Sequence, residues 1–148
     1  MTPASPNPSF WRGRRVLVTG HTGFKGAWLC YWLTRMGARV IGLALPPNTD
    51  PNLFSAAAIG SRVESLTVDI RDLEATRTAI VGARPEIVFH LAAQPLVLRS
   101  YKAPVETFST NVLGTAHVLD SLRDLPDAKV AVMITTDKVY ANREWVYP

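Results

Sequence analysis

The chain has 148 residues, 47% hydrophobic and 19% charged, a length and balance that allow one buried core and a single domain. Its net charge of +4 comes without a block of Lys or Arg, the densest cluster being Arg12, Arg14 and Arg15, so neither a nucleic-acid partner nor a membrane surface is expected. A lone cysteine, Cys30, excludes an internal disulfide and a Cys-rich metal site, and no apolar run reaches transmembrane length.

In chain order, residues 1–12 are rich in proline and lack the charged and apolar regions of a signal peptide. They are expected to form a flexible leader on a cytoplasmic protein. Five β-rich apolar runs follow, at residues 15–19, 39–44, 63–68, 87–91 and 130–135. They are nearly continuous rather than alternating, as in a parallel sheet covered on both faces. Helical stretches fill the gaps: one from Gly23 to about Met36, a short one over 51–58, one over 72–81 and a long one over 104–123. The first carries two apolar stripes (Phe24, Ala27, Trp28 and Tyr31; Leu29, Cys30, Leu33 and Met36) and reads as a buried helix ended by Gly37, with Cys30 an inert thiol inside it. Right-handed crossovers turn this alternation into a doubly wound sheet of order 3-2-1-4-5, whose ligands bind beyond the carboxyl ends of strands 1 and 4.

The chemistry-bearing residues fall at those strand ends. Gly20, Gly23 and Gly26 have the spacing G-x-x-G-x-x-G between the first strand and the first helix. The first glycine permits the turn, the second lets phosphate near the backbone, and the third lets the helix approach the sheet. The open N–H groups of the helix start then favour a pyrophosphate. Asn111 sits mid-helix, where its amide needs a partner. His90 is expected to be a satisfied strand-end histidine and His117 to lie on a solvated or partly covered helix face. No acid stands at the end of the second strand before Asp50, and no arginine stands there for a 2′-phosphate, so residues alone leave NAD and NADP undivided.

The glycine spacing resembles that of the extended short-chain dehydrogenase/reductases, and "VDIRD", "HLAAQ", "STNVLGT" and "TTDKVY" are similar to further motifs of that family. The resemblance implies a Rossmann-type NAD(P)-binding domain over residues 13–148, incomplete at its C-terminal side, and favours NAD. Within the glycine loop it assigns Gly20, His21, Thr22, Gly23, Phe24, Lys25 and Gly26 to the cofactor. It sets Asp69 and Ile70 beside the adenine, Leu91, Ala92 and Ala93 along the cleft, and Asn111 behind the cleft wall.

The triplet Thr136, Asp137 and Lys138, with His21 and Lys25 in the loop, resembles the CDP-glucose 4,6-dehydratases. That likeness implies CDP-glucose as substrate, deoxysugar and O-antigen biosynthesis as the setting, and a homo-oligomeric parent. It gives Thr136 the sugar O4, Asp137 the proton for departing O6, and Lys138 the C5 proton. GDP-mannose, dTDP-sugar or UDP-sugar dehydratases and epimerases stay open, as does a non-catalytic dinucleotide-binding module. The family's Tyr-x-x-x-Lys pair is absent: Tyr31, Tyr101 and Tyr140 are followed four residues on by Arg35, Val105 and Glu144. The chain is therefore expected to be the N-terminal portion of a longer lyase, inactive by itself.

Overall fold

The computed structural model describes residues 6–136, Ala141 and Glu144. Five parallel strands form one sheet: β1 (Arg15–Thr19), β2 (Arg39–Ala44), β3 (Glu64–Thr67), β4 (Ile87–His90) and β5 (Val130–Met133). Their order is β3-β2-β1-β4-β5, the expected doubly wound arrangement. Successive β1 side chains face opposite sides, so both faces of the strand are buried. Val16 and Val18 join Ala27, Cys30, Leu33 and Ile59 on one side, while Leu17 joins Leu43, Ile80, Val88 and Val118 on the other. Each fully buried Leu, Ile or Val contributes about 1.5–3 kcal/mol, which makes these two clusters the main support of the sheet.

The helices are α1 (Pro8–Trp11), α2 (Phe24–Arg35), α3 (Leu53–Ala56), α4 (Leu73–Ala83), α5 (Val97–Lys102), α6 (Pro104–Phe108) and α7 (Gly114–Leu122). Several depart from expectation. Within the supposed flexible leader, α1 is a helical turn capped by the Asn7 side chain, and Trp11 anchors it against Phe89. The helix α2 buries one stripe only: Gly26, Ala27, Cys30 and Leu33 face the sheet, whereas Trp28 and Trp32 are each 52% exposed. One layer of sheet covers one side of a helix; on the other, Trp28 meets Tyr31 edge-on at 6.2 Å, and Tyr31 lies under the Arg62 guanidinium. The long helix expected over 104–123 is divided by a π-helical turn, Ser109–Leu113, between α6 and α7. The two outer strands also differ from the buried runs expected: β3 is largely exposed, and Val130, Val132 and Ile134 at β5 remain open.

The amino ends of the central strands are tied by charge. Glu86 accepts the Arg15 backbone N–H (3.0 Å) and the Arg14 guanidinium (2.9 Å), and these hold its carboxyl below the usual range, the backbone bond most strongly. Burial lowers the pKa of both His21 and His90 from 6.5, with the nearby Leu43 carbonyl opposing it at His21. The unfolded chain therefore takes up protons that these folded imidazoles refuse. Their contribution is intact above about pH 6.5 and is lost as pH falls through the lowered values, by at most about 1.4 kcal/mol per pH unit for each ring. Thermal unfolding followed from pH 7.5 to 5 is expected to show a falling midpoint; a flat profile would contradict the neutral buried pair.

Candidate cofactor site

At the carboxyl end of β1 the chain makes a turn with no room for a side chain at Gly20 or Gly26. Gly20 has φ +73°, and a Cβ there would lie 2.8 Å from the Ala92 backbone N. A Cβ on Gly26 would stand 2.1 Å from the Gly20 carbonyl oxygen, so α2 starts directly against the turn. Gly23, the N-cap of α2, brings no capping side chain, which leaves the first-turn N–H groups open at the positive end of the helix. The cradle thus fits a dinucleotide pyrophosphate, on backbone donors that added side chains would block. Thr22 secures the turn by donating its hydroxyl to the Leu45 carbonyl at 2.8 Å.

The opposite wall is the end of β4. Leu91 and Ala92 are half-buried and Ala93 is exposed, with the Leu91 and Ala92 amides both donating to the Thr19 hydroxyl at 3.1 Å. Asn111 has the partner its position requires. Its Oδ1 accepts the Gln94 N–H at 2.8 Å and its Nδ2 donates to the Gln94 carbonyl at 3.1 Å, clamping the segment beyond Ala93 from the π-helical turn.

Beyond β3, Asp69 accepts from the Arg71 backbone N–H (3.0 Å) and from Arg71 Nε (2.9 Å). The Arg71 guanidinium is the main cause holding the Asp69 carboxyl below its ordinary pKa. Ile70 is buried beneath Gly114, where a Cβ would meet its Cδ1 at 2.6 Å. His117 lies partly covered on α7, and its Nδ1 donates to the Ile70 carbonyl at 2.9 Å.

One loop residue points elsewhere than the sequence suggests. His21 is fully buried: its ring fills the space above Gly42, sits edge-on to Phe54 at 5.4 Å and hydrogen-bonds Ser65 Oγ through Nε2 at 2.7 Å. It supports the turn from beneath and does not line an open cleft. Phe24 and Lys25 are exposed at the start of α2. Cys30 is buried, and burial pushes its thiol up to about 12, consistent with an inert packing role.

Ile134 N–H donates to the His90 carbonyl at 3.0 Å, which carries the chain past β5 on the same edge as Gly20 and Ala92. Thr136 is exposed just beyond; Asp137 and Lys138 lie outside the described residues. Sequence reasoning passed over Thr19, Gln94, Ser65 and the two glycines Gly42 and Gly114. A glycine inside a strand or helix signals close approach, and that rule would have found both.

Residues 17–146 match the family model for GDP-mannose 4,6 dehydratase. The chain belongs to this family. Within it and its neighbours, a CDP-glucose 4,6-dehydratase of Salmonella typhimurium is 55% identical over 139 residues, covering 94% of this chain and 39% of that protein. A UDP-glucose 4-epimerase of Mycolicibacterium smegmatis is 35% identical over 129 residues, covering 86% of this chain and 41% of that one. Among solved structures, the UDP-glucose-4-epimerase of Stenotrophomonas maltophila, with bound NAD and formylated UDP-arabinopyranose, superposes with a TM-score of 0.77 at 26% identity. That match covers 90% of this chain and 40% of the other, so the chain spans about two-fifths of the relatives it matches. This family member carries the sheet order, the glycine turn and the β4 wall, and the carboxyl edge where they meet is its switch point.

Proposed function

We propose that this chain is the NAD-binding portion of a CDP-glucose 4,6-dehydratase, with its cofactor across the switch point between β1 and β4. The observation that carries the cofactor reading is the glycine cradle, where a Cβ at Gly20 or Gly26 would lie within 2.8 Å of backbone. The 55% identity to the Salmonella protein supports the substrate.

Bound NAD supplies a hydride acceptor and donor. The Gly20–Gly26 turn and the α2 N-terminus would hold its pyrophosphate, and Asp69 and Ile70 would flank its adenine. In the substrate, oxidation at C4 makes the C5 hydrogen α to a ketone and therefore acidic. Lys138 removes that proton, Asp137 protonates departing O6 to release water, and Thr136 hydrogen-bonds O4. The C5–C6 double bond then accepts the returned hydride at C6 and a proton at C5, giving the 4-keto-6-deoxy sugar. These roles call for a neutral lysine and a protonated aspartic acid, which a dry, closed cleft favours.

Among the described residues no helix is long and apolar enough to cross a membrane. Exposed Leu98, Tyr101, Val105 and Phe108 on α5 and α6 support a homo-oligomer. A 4-epimerase is the second reading, favoured by the NAD-bound epimerase's likeness; it would oxidise C4 without losing water. Titrating the chain with NAD and following tryptophan fluorescence tests the cofactor assignment. A saturable change reversed by ADP-ribose is expected; no change at millimolar NAD would overturn it.

A further inference from the structure

Beneath the β4 wall runs a chain of buried hydrogen bonds whose proton directions can be assigned one by one. The Asn111 carbonyl in the π-helical turn can only accept, so the Thr115 hydroxyl, 2.7 Å away, donates to it. With its proton spent, Thr115 Oγ1 accepts from His90 Nε2 at 2.9 Å, and Nε2 therefore carries hydrogen. His90 is only 4% exposed, and burial favours its neutral form. Its Nδ1 is then a bare acceptor and receives the Thr19 hydroxyl proton at 2.7 Å. The Thr19 oxygen is left with its lone pairs for the Leu91 and Ala92 amides, both at 3.1 Å. Every polar hydrogen in the series has one direction.

We propose that His90, locked by Thr115 as the Nε2–H tautomer, is a positioning residue that couples the π-helical turn at Asn111 to the Leu91–Ala92 wall of the cofactor crevice. This rests on the dinucleotide reading. The opposite tautomer would set Nδ1–H against the Thr19 oxygen, which would then have three donors aimed at it and a hydroxyl proton without its acceptor. The Ala92 amide would lose its fixed acceptor beside Gly20, where an added Cβ would lie 2.8 Å from the Ala92 N.

The test combines a cofactor-free and a cofactor-bound readout. The ring ¹⁵N shifts of His90 in the folded chain at neutral pH are expected to show Nε2 protonated and Nδ1 bare; an Nδ1–H ring overturns the proposal without reference to NAD. Thr115→Val keeps the side-chain shape but removes the hydroxyl, and is expected to mix the tautomers and weaken NAD binding about threefold, with Thr115→Ser restoring both. His90→Phe is expected to weaken binding about tenfold, and Thr115→Val added to it to cost nothing more, since the two act in series. If His90→Phe does not fold, the Thr115 pair and the ring shifts decide. NAD binding by the parent with unchanged affinity in Thr115→Val overturns the coupling alone. A parent that binds no NAD overturns the dinucleotide reading and the coupling with it.

Discussion

Replacing Gly26 with alanine is expected to abolish dinucleotide binding and to lower stability by about 3 kcal/mol or more, above the usual cost of overpacking. The added Cβ would lie 2.1 Å from the Gly20 oxygen, 2.8 Å from the Gly20 carbonyl carbon and 2.8 Å from His21 Cα. All three are backbone atoms, so no rotamer change relieves the clash. Relief requires α2 to move off the sheet, which would unpack Ala27, Cys30 and Leu33 from Val16 and Val18. Gly23→Ala is the internal control, because its Cβ would stand 3.3 Å from the Gly20 oxygen and the turn can give by a few tenths of an ångström. Denaturant unfolding and NAD titration should therefore show Gly26→Ala losing both fold stability and binding, while Gly23→Ala keeps most of its stability. Equal stability of the two variants would show that α2 does not approach the turn as described.

Lys138→Met in the whole protein is expected to slow dehydration by about 10²–10⁴-fold, the range for losing a positioned acid or base. Oxidation at C4 precedes the step assigned to Lys138, so the variant should still reduce NAD in the presence of CDP-glucose. Exchange of the C5 hydrogen with solvent should fall with dehydration, because both begin with its removal as a proton. Asp137→Asn should behave differently, retaining C5 exchange while losing water release, since its assigned role is at O6. If Lys138→Met dehydrates CDP-glucose at the parent rate, the base is another residue.

The parallel sheet was readable because its central strands are apolar on every side. For β1, β2 and β4 the continuous runs placed the strands to within a residue, since burial on both faces keeps them apolar except at their ends, where Thr19 and His90 are buried as a hydrogen-bonded pair. The ends of β3 and β5 were less distinct because these outer strands are exposed, and packing there does not dictate composition. Both α1 and α5 went unread for a related reason: at four and six residues, each is too short for its apolar residues to form a readable helical period.

At the site, the glycines were legible because each answers to one geometric demand. His21 was not. Its place in the loop suggests a cofactor contact, whereas its direction depends on space that Gly42 opens on a different strand. Asn111 was legible as a polar group in need of partners, but the clamp on Gln94 and the π-helical turn that accompanies it are tertiary facts. The same holds for Arg71, whose grip on Asp69 is local yet depends on how the chain leaves β3.

The central claim is that this chain carries the cofactor for an internal oxidation, elimination and reduction of a nucleotide sugar. The most direct measurement is turnover by the whole protein of CDP-glucose deuterated at the sugar C4, with the label located in the product. The account predicts a 4-keto-6-deoxy sugar bearing the deuterium at C6, because the hydride removed from C4 is the one returned. A product epimerised at C4 with its C6 hydroxyl intact, or no turnover of CDP-glucose at all, would contradict it.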